Sequence, residues 1–469
     1  MIAEVKLWGE PVGTLSLNPD GITTVFRFDA DFLKKGLDIA PIQLPLKSLH
    51  ANDLFSFNPN DETEFQTYKA LPDFIADSLP DSFGNRVIEA WLIRQRRDIS
   101  SFSAVERLCY TGKRGLGALE YHPLIPVNDK IVDVDVHELV KLANDVLQDR
   151  RNLNTNFSRG DEALMDIVRV GSSAGGARPK AVIAYNETTG EVKSGQIPDV
   201  PNRFAHWLIK FDGVSNSEPL GLSTGMGRVE YAYHLMAKDC KIDMAECRLM
   251  EEGGRAHFMT RRFDRPGGGE TLHMQTLNAI AHLSYKLIDR NYYEQLFTTL
   301  RDLRMPHTTF EQQYRRMVFN VVAKNCDDHT KNVSFLMDKK GNWSLSPAYD
   351  VSYAYNPLSF WNKRHLMGIN GKFDNFTRKD LEKIGIEEGI KNRNEIIEQV
   401  CEVVSRWPEY AKSTGVDKSI YERIGSVHET HINMKENATI VKPSNKLKNA
   451  TQDLKKDSPK QSPGRKMKL

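Results

Sequence analysis

Hydrophobic and polar residues alternate in two ways along the chain, and the change near Gly269 separates a strand-rich part from a helix-rich part. Before this point, short alternating runs broken by turn residues predict strands, because successive side chains of a strand point to opposite faces. After it, apolar residues recur every three or four positions, which is the spacing of one helix face. The pattern predicts an α+β fold of two lobes with a cleft between them, a common place for a small ligand.

The predicted elements follow from these runs and from the capping residues beside them. In the first part, β-branched and aromatic content predicts strands at ARPKAVIAYN, FAHWLIKFD, AECRLME and AHFMTRRFD. Helical spacing predicts helices there at DSFGNRVIEAWLIRQRR, VHELVKLANDVL and GRVEYAYHLMAKDC. In the second part, helices are predicted at HMQTLNAIAHL, YYEQLFTTLRDL, TTFEQQYRRMVFNVVAKNC, IKNRNEIIEQVCEVVSRW and KSIYERIGSVHETHINMK. The first helix begins at a capping residue, Asp81 or Ser82.

The composition is typical of a globular protein of the cytoplasm. Hydrophobic residues make up 40% of the chain. No run approaches the ~18 consecutive apolar residues that are needed to cross a bilayer. The first residues lack the positive region and apolar run of a secretory signal. The five cysteines form no C-x-x-C pair and are odd in number, so we expect neither a disulfide framework nor a structural zinc site.

A basic C-terminal tail accounts for the formal net charge of +2. Residues 435–469 carry 10 Lys and Arg against 3 Asp and Glu, whereas the rest of the chain has a net charge of −5. Because the tail has almost no aromatic content, it cannot bury enough apolar surface to offset the entropy of ordering, and we expect a disordered extension. The functional alternative is a weak electrostatic contact with nucleic acid or an acidic partner.

A glycine-rich segment precedes the first predicted strand of the middle region. Gly175, Gly176 and Ala177 would let backbone N–H groups approach phosphate oxygens closely. Arg178 and Lys180 would add positive charge beside them. The segment matches neither standard phosphate-loop pattern, so an ordinary glycine-rich turn is the alternative.

A dense polar segment follows a long amphipathic run. Asp327 and Asn332 have the spacing of kinase catalytic loops, where the Asp orients the attacking hydroxyl and the Asn helps to hold magnesium. Asp328, His329 and Lys331 lie between them. Ionisable side chains this close together repel or pair with one another unless they have a functional role. This favours a functional loop over the alternative, a plain solvated turn.

Two further residues carry candidate chemistry. Strands on either side of the turn DKKGNW would return Asp350 beside Asn332, because a hairpin brings the end of its second strand back to the start of its first. Their oxygens would suit Mg²⁺. Lys210 lies among apolar residues, where an unpaired ammonium is costly and a phosphate or carboxylate partner would resolve the cost. A turn or N-cap Asp and an edge-strand lysine that reaches water are the alternatives.

These features follow the chain order of protein kinases: a loop that covers phosphate, a lysine that contacts phosphate, a base and metal ligands. Neither H-R-D nor D-F-G is present, and the glycine pattern differs. The sequence therefore does not indicate an ordinary eukaryotic-type kinase.

Several segments, in their order along the chain, resemble the HipA family of bacterial serine/threonine kinases, which are the toxins of two-component toxin–antitoxin modules. The segments are SSAGGARPKA, AHWLIKFD, FMTRRFDR, HMQTLNAIAH, NCDDHTKN and SPAYDV. LPDFIADSLPDSFGNRVIEAWL and GLGALEYHP also resemble the N-terminal module of that family, so the resemblance covers residues 1 to about 430. It implies a two-lobed fold related to protein kinases and phosphatidylinositol kinases, with ATP between a strand-rich N-terminal part and a helical C-terminal lobe.

The resemblance also implies roles for individual residues. Asp327 would be the catalytic base, and Asn332 and Asp350 would bind magnesium. Lys210 would contact the nucleotide phosphates. Further positions match segments that cover or hold the nucleotide: Gly175, Gly176, Ala177, Arg178, Lys180, Arg262, Phe263, Asp264, Gln275, His329 and Lys331. Two serines match the place where family members autophosphorylate: Ser172 and, as the preferred alignment, Ser173.

The expected organisation has four parts: an N-terminal module at 1–125, a nucleotide-binding part at 137–268, a helical catalytic lobe at 270–434 and the tail at 435–469. The implied function is that of an ATP- and Mg²⁺-dependent protein serine/threonine kinase that inhibits growth. An aminoacyl-tRNA synthetase or another translation component would be its substrate, and a helix-turn-helix antitoxin of the HipB type would be its partner.

Two other functions are compatible with the same residues. The first is an inactive kinase-like scaffold that serves as a co-repressor or antitoxin partner, with the tail touching DNA. The second is a metal phosphohydrolase built on Asp327, Asp328 and His329, although no second His/Asp cluster is evident in the sequence.

Overall fold

The computed structural model describes residues 1–125, 131–148, 178–195, 200–214 and 224–433. Several predicted positions lie outside these described residues: Ser172, Ser173, Gly175, Gly176, Ala177 and the tail at 435–469. What the sequence indicates about them therefore stays a prediction.

The N-terminal region is an antiparallel sheet with the strand order β4-β3-β2-β1-β5, packed against helices. Its strands are β1 (Ile2–Leu7), β2 (Glu10–Leu17), β3 (Thr24–Phe28), β4 (Phe55–Phe57) and β5 (Leu119–His122). Its helices are α1 (Ala30–Lys34), α2 (Glu62–Tyr68), α3 (Asp73–Ala76), α4 (Ser82–Arg94) and α5 (Ala104–Thr111). Ala3, Val5 and Leu7 alternate into the core from β1, as the strand period requires. Asp81 caps α4, as predicted, by accepting a hydrogen bond from the Gly84 N–H.

The middle region contains a second antiparallel sheet, with the order β7-β6-β8-β10-β9. Its elements are β6 (Lys180–Tyr185), β7 (Val192–Ser194), β8 (Ala205–Lys210), β9 (Cys247–Glu252), β10 (Arg255–Arg261), α6 (Val136–Gln148) and α7 (Met226–Asp239). Trp207 and Ile209 on one face of β8 pack against α4 and α6. Lys210, on the opposite face, contacts α7. The strands and helices predicted for this region are confirmed.

The C-terminal region is mainly helical around one core. It also contains a small antiparallel sheet with the order β11-β12-β13. Strand β11 (His273–Thr276) precedes the first helices of this region, and strands β12 (Ser334–Met337) and β13 (Trp343–Leu345) follow them. The helices are α8 (Leu277–Ile280), α9 (Tyr293–Asp302), α10 (His307–Val322), α11 (Arg378–Glu387), α12 (Arg393–Ser405), α13 (Trp407–Ser413) and α14 (Lys418–Gly425). Tyr314 and Val318 of α10 are fully buried with Val400 of α12 in this core. No helix among the described residues is long and apolar enough to cross a membrane.

Two of the predicted helices are wrong in part. The segment 273–276 is strand β11, and only Leu277–Ile280 is helical. The segment pairs with β12, with Thr276 opposite Ser334, and this tertiary pairing outweighs the local helical spacing. The last predicted helix, which began at Lys418, ends at Gly425 and is followed only by a 3₁₀ turn at Thr430–Asn433.

Gly227 allows α7 to lie close to β10. A Cβ atom added at this position would come within 2.0 Å of the Ala256 carbonyl oxygen, a backbone atom that cannot turn aside. The glycine is therefore required by packing, although glycine weakens a helix interior.

We predict that Gly227→Ala lowers the free energy of unfolding by about 1–3 kcal/mol, because the methyl group forces α7 away from β10. On a helix without this close contact, a change from glycine to alanine would raise the free energy of unfolding. The sign of the measured change therefore reports the contact. Urea denaturation followed by circular dichroism measures it, with Lys238→Ala on the exposed side of the same helix as control. A Gly227→Ala protein as stable as the wild type would contradict the close approach.

Candidate active site

A lysine ammonium is held between two carboxylates, one of which, Asp350, lines the cleft between the second sheet and the polar loop. The Nζ atom of Lys210 lies 2.5 Å from Oε1 of Glu230 and 2.5 Å from Oδ1 of Asp350. Burial disfavours the charged lysine, but the two carboxylates outweigh that penalty and raise the pKa of Lys210 above its ordinary value. The lysine predicted to need an anionic partner therefore has two.

Glu230 is a site residue that the sequence analysis missed. It lies in α7, its side chain is 1% exposed, and its second oxygen accepts a hydrogen bond of 2.8 Å from Nη1 of Arg178. Its helix neighbours Val229 and Tyr233 are fully buried. A glutamate on the apolar face of an amphipathic helix was the available signal, since a buried carboxylate is expected to be paired.

A second lysine lies on the same face of this sheet. Lys180 in β6 is directly opposite Lys210 in β8, and cross-strand partners share a face. The Nζ atom of Lys180 is 2.6 Å from Oδ2 of Asp81 at the start of α4. Both lysines thus have their own carboxylates, which allows two like charges to approach the same cleft.

The predicted hairpin is present and returns Asp350 to the polar loop. The Ser346 N–H donates to the Ser334 carbonyl at 2.9 Å, and the Tyr349 hydroxyl donates to the Lys331 carbonyl at 2.7 Å. Asp350 itself has φ of +52°, in the left-handed region that aspartate tolerates better than most residues. Burial would raise the pKa of Asp350, but Lys210 and then Lys180 lower it below the ordinary value. Asp350 is therefore ionised at neutral pH.

Asp327 is the carboxylate of the loop that remains open. Its side chain is 40% exposed, and Oδ1 accepts a hydrogen bond of 3.1 Å from the Trp361 indole. Burial by the surrounding protein raises the pKa of Asp327, while the charge of His329 and the hydrogen bond from Trp361 oppose the rise. The Asn332 amide nitrogen donates to the Asp327 carbonyl at 2.7 Å, which leaves the Asn332 amide oxygen available as a ligand.

Asp328 anchors the loop instead of facing the cleft. Its buried carboxylate accepts hydrogen bonds from the Tyr293 hydroxyl at 2.8 Å, His365 Nδ1 at 2.9 Å and the Leu366 N–H at 2.8 Å. With its oxygens engaged in this way, Asp328 is not a free metal ligand. The phosphohydrolase interpretation, which used Asp328 at the metal, therefore loses one of its three groups.

An open cleft of about 740 Å³, a volume that includes the solvent at its mouth, lies between the second sheet and the polar loop. Leu208 and Thr260 line it from the sheet, and Met274 lines it from β11. Phe263 and Tyr349 lie at its edge with ring centroids 5.6 Å apart. Charged residues line the same cleft: Asp77, Asp81, Arg261, Arg262, Asp264, Lys331 and Asp350. A cleft that combines apolar walls with charged groups suits a flat ring that carries an anionic group.

The predicted nucleotide residues Arg262 and Asp264 also join this cleft to the N-terminal region. Two arginines, Arg262 and Arg265, contact the Asp264 carboxylate at 2.5 and 2.8 Å, and the Gly117 N–H donates to it at 2.9 Å. Both guanidinium groups also donate to the Gly115 carbonyl at 3.0 Å. The arginines outweigh the effect of burial and lower the pKa of Asp264. Asp264 lines the cleft, but its oxygens are already engaged.

Gln275 does not line the cleft. Successive residues of a strand face opposite ways, so Met274 and Thr276 face the cleft while Gln275 points to the N-terminal region. Its amide nitrogen donates to the Ile39 carbonyl and lies 2.9 Å from Nε2 of His273. Its predicted part in nucleotide binding has no support from these contacts.

His329 and Lys331 both belong to the polar loop and both contact the Tyr285 ring. His329 Nε2 is 3.8 Å from Oδ1 of Asp327, and its ring packs against Tyr285 with centroids 5.5 Å apart. Lys331 Nζ lies 5.0 Å from the centroid of the Tyr285 ring. Lys331 lines the cleft; His329 lines a groove beyond it.

The oxygen donors near the loop fit a hard divalent cation. Asn332 and Asp350 line one small cavity together, and the charge of Asp350 reaches Asp327 strongly enough to raise its pKa. Carboxylate and amide oxygens are the ligands that Mg²⁺ prefers. Asn332 and Asp350 are therefore the candidate ligands among the described residues, with Oδ1 of Asp350 also in contact with Lys210.

Comparisons with known proteins concern the family and the fold of the chain. Residues 3–122 match the family model of the HipA N-terminal domain, and residues 172–407 match that of the HipA-like C-terminal domain. The structure is similar to that of HipA from Shewanella oneidensis, determined in complex with HipB and its operator DNA. That match has a TM-score of 0.63 and 16% identity and covers 92% of this chain and 96% of the other. A Sinorhizobium fredii protein named "Putative kinase Y4dM" is 22% identical over 365 residues, 75% of this chain and 76% of its own length. The predicted α+β, two-lobed kinase-like fold is confirmed.

We predict that stability falls with rising pH because of His365. Burial lowers the pKa of His365, but the adjacent Cys326 and Asp328 outweigh this and raise it from 6.5 to about 10. The folded state therefore binds one more proton than the unfolded state between these values. Stability should be complete below about pH 6.5 and fall by up to about 1.4 kcal/mol per pH unit as pH rises toward 10.

Urea midpoints measured across this range for the wild type and for His365→Asn test the prediction. The variant should be less stable at pH 6.5 and should lose most of the slope, whereas His50→Asn on the exposed surface should keep it. Equal slopes in the wild type and the His365 variant would contradict it.

Proposed function

Because the chain belongs to the HipA family, we propose that it is an ATP- and Mg²⁺-dependent protein serine/threonine kinase and the toxin of a toxin–antitoxin module. The observation that carries the proposal is the contact of Lys210 with both Glu230 and Asp350. In protein kinases, a strand lysine paired with a helix glutamate and an aspartate at the metal must be in place together for phosphoryl transfer.

The residues divide the work of phosphoryl transfer among them. Asp327 accepts the hydrogen bond of the substrate hydroxyl and orients it, since its carboxylate is the open one in the loop. Lys210 contacts the nucleotide phosphates from the opposite wall. Asn332 and Asp350 would hold Mg²⁺, which when bound neutralises charge on the phosphate oxygens. Leu208, Met274 and Phe263 exclude water from the adenine end of the cleft.

An inactive scaffold has no requirement for this set of groups. Burying an ammonium beside two carboxylates removes three charges from water, and such an arrangement is costly unless the groups are well paired or used. The cost is therefore better explained by a kinase than by a binding module alone.

A HipB-like helix-turn-helix antitoxin is the proposed partner, since the similar Shewanella oneidensis HipA was determined with HipB and operator DNA. Contact with DNA would then be indirect, through the antitoxin. The substrate indicated by the family resemblance, an aminoacyl-tRNA synthetase or another translation component, stays a prediction, as does autophosphorylation at Ser173 or Ser172.

Asp327→Asn should abolish phosphoryl transfer and any growth arrest on expression while leaving the fold intact. The amide cannot orient the hydroxyl as the carboxylate does, and we expect a loss of at least about 100-fold in turnover. Mass spectrometry after incubation with ATP and Mg²⁺ measures incorporation on the protein itself, and melting temperature reports the fold. Asp374→Asn, an exposed aspartate of the same lobe, is the control. Full toxicity and activity in Asp327→Asn would remove Asp327 from the mechanism.

Asp350→Ala should mainly weaken Mg²⁺-dependent nucleotide binding. The substitution removes a metal oxygen and one of the two carboxylates that neutralise Lys210. ATP affinity titrated against Mg²⁺ by calorimetry should shift to higher Mg²⁺ by about tenfold or more. Asp338→Ala in the exposed hairpin turn is the control. Unchanged affinity and turnover at limiting Mg²⁺ would show that the metal assignment is wrong.

A further inference from the structure

A second, larger groove opens beside Asp327, with a volume of about 2110 Å³ that includes the solvent at its mouth. It shares Leu79, Asp81 and Lys331 with the nucleotide cleft, so the two are continuous. One wall comes from the N-terminal region, and the other comes from the segment around Tyr285 and from the catalytic loop. Any molecule that presents a hydroxyl to Asp327 must lie in this groove.

The groove is rich in cations, and carboxylates act on two of them without a direct ion pair, namely Glu89 and Glu106 on Arg107, and Asp77 and Asp81 on Lys331. Four basic side chains line it: Lys69, Arg107, Lys286 and Lys331. In the part of the chain that the structure describes, none of the four forms an ion pair. Their polar contacts are with neutral groups: Arg107 donates to the Asn85 amide oxygen at 2.8 Å, and Lys286 contacts the Gln66 amide oxygen at 3.4 Å.

These cations also repel one another. Burial lowers the pKa of Lys286, and the charges of Lys69 and Lys331 lower it further. Burial likewise lowers the pKa of Lys69, with Arg107 adding to the effect. Like charges held together in a groove are relieved by an anionic ligand, which gives charge complementarity a direct energetic basis.

An apolar ledge borders the same groove. Leu358 is 94% exposed and Phe360 is 75% exposed, and both lie in the turn closed by the Asn356 N–H on the Asn362 carbonyl. The neighbouring Trp361 lines the groove and donates to Asp327. Exposed large apolar side chains beside a functional site mark a surface for protein contact.

The geometry points to an acidic segment of a protein as the substrate of this groove, a conclusion that rests on the proposed kinase function. The four cations engage carboxylates that flank the target hydroxyl, and Leu358 and Phe360 contact an apolar side chain of the same segment. The segment then lies with its serine or threonine hydroxyl at Asp327. A single-stranded nucleic acid fits less well, because the aliphatic side chain of Leu358 gives no stacking surface for a base.

Binding of labelled peptides to the full chain, measured by fluorescence anisotropy, tests the inference without requiring turnover. The probes are a short peptide with a central serine, glutamates on both sides and one leucine, its lysine counterpart, and a single-stranded RNA oligonucleotide of similar length. We expect the acidic peptide to bind at least about tenfold more tightly than either other probe, and its affinity to fall as salt rises.

Two double variants locate the surface. Lys69→Glu with Lys286→Glu should weaken acidic-peptide binding by about tenfold or more, and Leu358→Ser with Phe360→Ser should weaken it by several-fold without changing the salt dependence. Lys391→Glu with Lys412→Glu is the matched control and should bind as the wild type does, since one exposed lysine lies in the turn before α12 and the other in α13. Melting temperature and ATP affinity should be unchanged in all three.

Equal binding of the acidic and basic peptides, or unchanged binding in the Lys69/Lys286 variant, would overturn the inference. Tighter binding of the RNA would overturn it in favour of a nucleic-acid ligand. Failure of the proposed function would be seen differently. The chain would still bind the acidic peptide more tightly, but it would transfer no phosphate from ATP to any peptide in the presence of Mg²⁺.

Discussion

The buried ammonium of Lys210 is the interaction on which the arrangement of the cleft depends. Its carboxylate partners are Glu230 in α7 and Asp350 in the segment after β13. A single lysine of β8 therefore fixes two other parts of the chain. Removing one partner of such a buried group typically costs about 3–5 kcal/mol, since the remaining charge has no water to replace it. The same charges that join these parts of the chain are those that the proposed phosphoryl transfer would use.

A second buried ion cluster joins the N-terminal region to the cleft. Asp264 binds two arginines whose guanidinium groups also donate to the carbonyls of Gly115 and Gly117. At Gly117, which has φ of +73°, a Cβ atom would lie 2.7 Å from the Met274 nitrogen. The N-terminal region thus contributes one edge of the cleft directly, and a residue matched to nucleotide binding by resemblance has a structural task as well.

Sequence analysis predicted those features of the candidate site that depend on residues close together along the chain. The spacing of Asp327 and Asn332 and the hairpin before Asp350 are local, and local turn chemistry predicted them. Glu230 was missed because its partner Lys210 is reached only through packing of α7 on the sheet. The strand at 273–276 was read as a helix for the same reason: pairing with β12 decides both its conformation and the direction in which Gln275 points.

The two open ends of the site differ in how their charge is balanced. On the nucleotide side, Lys180 and Lys210 are matched by carboxylates, so ATP phosphates would compete with groups already present. On the groove side, Lys69 and Lys286 form no ion pair among the described residues. Lys331 lines both. An anionic substrate would therefore bind beside lysines that form no ion pair, and through Lys331 it would change nucleotide binding by an amount that depends on the distance between the two anions.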